Sequence, residues 1–488
     1  MMKKLLSAVI GLLYFTASAQ YTTPNSNVNW GLDDLIINAP SGVIALNDGV
    51  YTLSQNLTIA VSDTLTINEN AILRIDPNVE ITIAGTFFAD ADEIVITASA
   101  DAQPFGTIRF EENSTGYLRN VTIDYGKGIR VATGDFEMQN CSMSYHQQGT
   151  TTSAALTFST GRPLINASRF THNFIPAFGS GANIESAPTF SNNYLENNNS
   201  VNNNRPQINM GPSGNDTIRI VNNIIKGNPL STLVGGISAS SLLGNMNKVV
   251  IEGNTITDNR YGITVAGANS SGYIRNNIIQ DNNTQNIPAQ GGSGISLNAS
   301  GAATMNIIAS GNQIRRNLWG ITVIGQARLN LGDGTDDSPG GNVFAENGND
   351  GNAYALFNNT PHAISAMNNC WIEGAAPTAT DVENVISHQF DDALLGLVTY
   401  TPFSDCLLAT NTFAADMTTI YPNPNAGRFN LNLSQDATLE LYSMGGQRIW
   451  SKKITSGQHV VEYDAPTGVY VLRVTSDAGV LNYKMVRR

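Results

Sequence analysis

The chain is short of charge. Asp, Glu, Lys and Arg make up 13% of its 488 residues, about half the usual quarter. That excludes a charged disordered tail and a Glu/Lys-rich helical bundle. Its 26 Lys and Arg stand against 39 Asp and Glu, for a net charge of −13. Nucleic acid and anionic membrane are excluded as partners, because phosphate binding needs clustered cations. Three cysteines, Cys141, Cys370 and Cys406, are too few for a disulfide framework. Beyond the N-terminus no run is apolar enough to span a bilayer as a helix, so none is expected in the mature chain. Catalytic signatures are missing too. His146, His172, His362, His388 and His459 show no zinc-ligand spacing, and there is no GxSxG, phosphate-binding Gly loop or dinucleotide fingerprint.

What is plentiful is Gly, at 45, and Asn, at 58. These are turn residues, and with 41% hydrophobic residues available for a core they point to an all-β chain. The length calls for several domains or one elongated repeat.

At the N-terminus Lys3 and Lys4 precede the apolar run Leu5 to Phe15 and the triplet Ala17-Ser18-Ala19. This reads as a secretory signal over 1–19, cleaved between Ala19 and Gln20. The alternative, a membrane anchor, needs about 20 apolar residues, and the run has about 11. Export would permit a Cys370 to Cys406 bridge, which the sequence leaves open.

From Thr418 onward alternating apolar positions (Phe429, Leu431, Leu433; Leu439, Leu441; Val469, Val471, Leu472, Val474) between Gly and Pro turns read as a small antiparallel sandwich. Tyr421-Pro422-Asn423-Pro424, Gly445-Gly446, Thr467-Gly468-Val469-Tyr470 and the basic ending Lys484, Arg487, Arg488 carry a resemblance. The segment 418–488 resembles the C-terminal sorting domain of the type IX secretion system of Bacteroidetes. The resemblance implies the type IX machinery as partner, passage across the outer membrane, and a secreted or cell-surface product.

The middle repeats. Aligning NVTID, NCSMS, SRFTHN, NYLENN, NIIKGN, NTITDN, NIIQDN, NQIRRN and NVFAEN gives one apolar column: Ile123, Met143, Phe170, Leu195, Ile225, Ile256, Ile279, Ile314 and Phe344. Two residues earlier stand Val121, Cys141, Ser168, Asn193, Asn223, Asn254, Asn277, Asn312 and Asn342. Three residues later stand Asn173, Asn198, Asn228, Asn259, Asn282, Asn317 and Asn347. Copies lie 20 to 35 residues apart, which suits coils whose inward residues stack about 4.8 Å apart. Asn belongs at the corners because it tolerates left-handed backbone and its amide can bond its copy in the next coil. The region resembles the right-handed parallel β-helix superfamily, which includes pectate-lyase-like enzymes, glycoside hydrolases, carbohydrate-binding repeats and adhesins. The expected organisation is a signal (1–19), an N-terminal cap (20–52), a β-helix (53–370), a C-terminal cap (371–406) with a short helix near 380–388, a linker (407–417) and the sorting domain.

Two residues after the apolar column lie Tyr125, Tyr145, His172, Asn197, Gly227, Asp258, Asp281, Arg316 and Glu346, in one outward row. Asp258, Asp281 and Arg316 fall on successive coils, and paired carboxylates beside a cation suit acid–base work on a glycoside, Ca²⁺ binding, or plain solvated surface. Tyr261 and Trp319 share one position, five residues after the column, each before Gly-Ile. Rings there suit glycan stacking or packing against insertions such as 282–292. Asp333, Asp336 and Asp337, in the loop 332–341, are candidate Ca²⁺ ligands without an EF-hand pattern. The expectation is an exported β-helix that binds glycan or another extracellular polymer along its long face. A polysaccharide lyase, a glycoside hydrolase and a structural or adhesive rod stand as alternatives.

Overall fold

The computed structural model describes residues 20–406 and, further on, 420–433, 436–443, 447–476 and 479–488. The expected signal, the linker and Gly445-Gly446 lie outside the described residues. These form two compact units divided after Cys406.

The first unit is the expected parallel β-helix. One coil runs through Ile263–Ala266, Ser270–Arg275 and Ile278–Gln280, one strand on each of three faces. It returns to the first face at Ser293–Ala299, paired in parallel with Ile263–Ala266. Face 1 is a sheet of 14 strands from Gln20–Thr22 to Ile386–Ser387. The ladder thus extends through both expected caps. At the start, the helix Leu32–Asn38 sinks Leu35 entirely into the core. At the end, Val398–Thr399 pairs with Ile364–Ser365, the short helix spans Ala379–Glu383, and Cys370 is bonded to Cys406 with 5.1 Å between Cα atoms.

Period-2 alternation decides which side chains enter. The apolar column forms one in-register stack on face 3, from Ile123 opposite Met143 to Ile314 opposite Phe344. Eight of its nine members are fully buried, and Phe344 is 1% exposed. Each such side chain contributes roughly 2 to 3 kcal/mol of burial.

Asn divides its two tasks between neighbouring residues. Left-handed backbone falls on Asn192, Asn222 and Asn276, with φ of 55 to 57°. The next residue is the buried one. Asn193, Asn223, Asn254, Asn277, Asn312, Asn342 and Asn369 form a ladder in which each Nδ2 donates to the next Oδ1 at 2.9 to 3.0 Å. Every such Oδ1 also accepts a backbone N–H from the preceding coil.

A second ladder follows face 3, and it corrects one position of the alignment. It runs Asn173, Asn198, Gln207, Asn259, Asn282, Asn317 and Asn347, at 2.7 to 3.3 Å. Asn228 is not in it. Its amide turns outward to Asn197 at 3.1 Å, and Gln207, entering from the preceding insertion, fills the rung with its longer side chain. His146 heads this ladder, its backbone N–H donating to Asn173 Oδ1 at 2.9 Å. Its Nε2 bonds the Ile123 carbonyl and its Nδ1 accepts from Gly128. Complete burial lowers its pKa to about 4, so it stays neutral.

The second unit holds two antiparallel sheets. One pairs Ile420–Tyr421, Arg428–Leu433 and Gly457–Glu462, and the other orders Arg448–Ile454, Ala437–Ser443, Gly468–Ser476 and Gly479–Arg487. Phe429, Leu431, Leu433, Leu439, Leu441 and Leu472 fill their common core. Val469 is 38% exposed, because Tyr470, Leu472 and Val474 are the inward residues of that strand.

Candidate functional site

The outward row does lie on one corner. Tyr125, Tyr145, His172, Asn197, Asp258, Asp281, Arg316 and Glu346 all have φ between 51 and 60°, where the chain leaves face 3. Gly227 alone departs, having no positive φ. Along the row Tyr125 and Tyr145 stack at 4.9 Å, and Tyr145 and His172 at 6.0 Å. Further on, Arg316 grips Asp281 with two bonds of 2.7 and 2.8 Å and reaches Glu346 at 4.0 Å. Asp258 makes no ion pair. The cation placed to assist a carboxylate is therefore already engaged.

Tyr261 and Trp319 stand at the far end of the same connection, Tyr261 just before the face 1 strand Ile263–Ala266 and Trp319 as the first residue of the face 1 strand Trp319–Gly325. Buried Asn259 and Arg260, or Asn317 and Leu318, separate them from the charged row. No hydrogen bond, ion pair or ring contact joins the two groups. The Tyr261 ring lies against Gly235, where an added Cβ would meet it at 2.1 Å, and burial pushes its phenol up to about 12. The Trp319 indole N–H donates to the Pro288 carbonyl at 3.0 Å, and its ring packs on Tyr354 and Phe357 at 4.5 and 5.2 Å. Each ring is half-buried. Arg260 binds the insertions together, with bonds to Asn204, Gln285 and Gln290.

The acidic loop serves another purpose than the one its composition suggests. Asp333 accepts from Thr335 and Asn330 within its own turn, which lowers its pKa. Asp337 points to face 2 and pairs with Arg275 at 2.9 Å. Asp336 lines a depression that Arg275 and Asn368 also border. The three carboxylates do not converge. No group of three or more His, Cys, Asp or Glu able to hold a metal ion occurs among the described residues, so the loop does not fit Ca²⁺ as proposed from its composition.

What the alignment of face 3 missed lies on face 2. Counting four residues back from the ladder Asn in TIRIVNN, KVVIEGN, SGYIRNN and NIIASGN gives an outward row of Arg219, Val250, Tyr273 and Ile308, paired coil to coil. Beside it, Gly272 takes an inward position between Val249 and Ile307. Its φ is +137°, and a Cβ would fall 1.8 Å from the Val249 carbonyl oxygen, so only glycine fits. Here the face holds a depression of about 310 Å³ lined by Thr217, Arg219, Lys248, Ser271, Tyr273 and Asn306. The Arg275 guanidinium stacks 3.8 Å above the Tyr273 ring. Beyond it lies a second depression of about 460 Å³, bounded by Arg275, Asn276, Ser310, Asp336 and Asn368. Asp337 ties the overhanging loop to both Arg275 and the Tyr273 hydroxyl.

Fold and tail together define an exported parallel β-helix protein. Residues 419–488 match the family described as a secretion system C-terminal sorting domain, and 274–378 match one described as a protein of unknown function, DUF1565. The C-terminal unit is a type IX sorting domain, and the protein goes to the cell surface or the medium. No curated protein matches the chain. Among solved structures, the periplasmic alginate epimerase AlgG is similar over 77% of this chain and 80% of its own, at 14% identity and a TM-score of 0.38. No helix among the described residues is long and apolar enough to cross a membrane.

Proposed function

We propose that this exported β-helix binds an extracellular polysaccharide along its long axis, with the cleft on face 2 as the binding surface. The observation that carries this reading is the pair of depressions on either side of Tyr273 and Arg275. Coils repeat about every 4.8 Å, close to the length of one sugar residue, so a chain lying along the axis meets fresh side chains at each coil. The linings combine hydroxyl and amide groups with apolar surface from Val250 and Ile308, the mixture that a sugar ring requires. Binding is favoured over cleavage, because Asp336 is the one carboxylate lining the depressions and its neighbour Asp337 is taken up by Arg275 and the Tyr273 hydroxyl, which leaves no free acid and base pair.

The test is retention of the purified protein on a panel of immobilised polysaccharides, with assays for new reducing ends and unsaturated products. Retention without product, lost in Tyr273→Ala, supports the reading. Retention that persists in Tyr273→Ala but disappears in the double variant Tyr261→Ala and Trp319→Ala moves the site to face 1. Failure of every polysaccharide to retain the protein sinks the proposal.

A further inference from the structure

The charge of the chain is divided unevenly. Residues 20–417 carry 16 Lys and Arg against 34 Asp and Glu, whereas 418–488 carry eight against five, a net charge of +3. Within the sorting domain the excess falls on one face. In its four-stranded sheet Leu439, Leu441, Leu472, Val474 and Met485 are buried, so period-2 alternation turns Thr438, Glu440, Tyr442, Val471, Arg473 and Lys484 outward. Across the strands Thr438 lies opposite Lys453, Tyr442 opposite Arg448, Glu440 opposite Arg473 and Val471 opposite Lys484. Four cations thus surround one carboxylate. Glu440 accepts from the Arg448 guanidinium at 2.9 Å and from the Tyr442 hydroxyl at 3.0 Å, and these bonds, with the charge of Arg473 nearby, hold its pKa below the usual carboxylate range. Lys453, Arg473 and Lys484 are exposed, and their side chains form no hydrogen bond or ion pair among the described residues. The outer face of the three-stranded sheet is unlike this one. There Asn430 lies opposite Val460 and Asn432 opposite Gln458, and the cation Arg428 is paired with Glu462 at 3.6 Å.

We infer that this basic sheet face is the docking surface of the sorting domain, and that its partner is a protein of the secretion machinery presenting a cluster of Asp and Glu. Charge complementarity carries the inference. Lys453, Arg473 and Lys484 repel one another until a partner supplies carboxylates. Their spacing favours a protein over a phosphate group. No two of the three lie directly opposite each other, and the four strands span roughly 14 Å. Cations spread in this way do not converge on one point, as the grip on a single phosphate requires, but they match carboxylates spread over a strand or helix surface. Exposed ion pairs are individually weak, which suits a partner that must let the protein go once it has crossed the outer membrane.

The test is export of the full-length protein from its own host, read by cell fractionation. Arg473→Gln with Lys484→Gln should lower the fraction reaching the surface and medium about tenfold, the effect of two exposed ion pairs lost, with the remainder held in the periplasm. Lys453→Arg with Lys484→Arg keeps the charge and should be exported normally. Adding Asn432→Lys and Gln458→Lys to the Gln pair restores the net charge on the other sheet, and export should stay impaired. The Gln pair purified from the periplasm should keep residues 418–488 as resistant to protease as in the unaltered protein. Normal export of the Gln pair overturns the inference, as does rescue by the two distant lysines or a loss of export that tracks loss of protease resistance. Vesicles of phosphate-bearing lipopolysaccharide should retain neither form. If they retain the unaltered protein and not the Gln pair, the occupant is the membrane and the inference falls.

Discussion

Asp337 reaches back across two coils to Arg275, its Oδ1 accepting from the guanidinium at 2.9 Å although 62 residues separate them in the chain. This pair, with the Tyr273 hydroxyl on the other carboxylate oxygen at 3.3 Å, holds the loop 332–341 over face 2.

Removal of that tie by Asp337→Ala should free the loop with little cost to the fold. The Asp337 side chain is 57% exposed, so the ion pair is worth at most about 1 kcal/mol. Amide hydrogen exchange should accelerate across 332–341 while the midpoint of unfolding moves little. Unchanged exchange would show that the turn bonds of Asp333 suffice.

The two positions exchanged in the second ladder predict opposite outcomes. Gln207→Ala leaves the backbone N–H of Asn198 and the amides of Asn198 and Asn259 short of a partner in the core, at a cost of about 2 to 4 kcal/mol. Asn228→Ala removes two bonds near the surface, one to Asn197 and one from the Leu230 backbone N–H, and should cost about 1 kcal/mol or less because water can replace both. Denaturant midpoints for the two variants check the order, and a larger loss in Asn228→Ala would contradict the ladder.

Acid should act on the first coils in two directions. Asp63 is buried and accepts backbone N–H groups from Asn25, Ser26 and Val28. Burial opposes its ionisation, but these bonds together with Thr23 win and hold its pKa at about 2. Its folded pKa is depressed, so its contribution of about 2 kcal/mol is present above pH 4 and is lost as pH falls toward 2. Asp124 behaves oppositely. Burial raises its carboxyl to about 6 against the bonds from Ser144, and its Oδ1 has no partner. Its folded pKa is raised, so ionisation costs stability progressively from about pH 4 to 6 and fully above. Asp124→Asn should raise the melting temperature at pH 7.5 and leave it nearly unchanged at pH 4, whereas Asp63→Asn should lower it at pH 7.5.

The bridge from Cys370 to Cys406 closes 36 residues around the final coil. By the chain-entropy argument, Cys370→Ser with Cys406→Ser costs about 4 kcal/mol. Reductant should reproduce the loss in the native protein and have no effect on the double variant, as read by thermal unfolding.

Deletion of 418–488 should trap the protein in the periplasm, as read by cell fractionation, because this is the segment that matches the sorting domain. Normal release of the truncated chain would contradict that address.

How far the sequence reached can be seen residue by residue. The stack from Ile123 to Phe344, the first Asn ladder and the left-handed corner were legible because each coil must repeat its inward residues and its turns. Period alone carries that information, and the low charge and the abundant Asn follow from it. The tail was legible for the same reason, through short motifs at set places in a small domain. Period could not tell Asn228 from its neighbours in the column, because the choice of Gln207 for that rung depends on how an irregular insertion folds back. Nor could it reveal that Arg316 is occupied by Asp281, that Trp319 is held by Pro288, or that Asp337 turns to Arg275 rather than to a metal. The sequence by itself determined the repeating interior, where every coil meets the same neighbours. Only the tertiary structure decided the outward surface, where contacts join residues 30 to 60 positions apart and nothing repeats, and that is where the cleft between Arg219 and Asp336 is made.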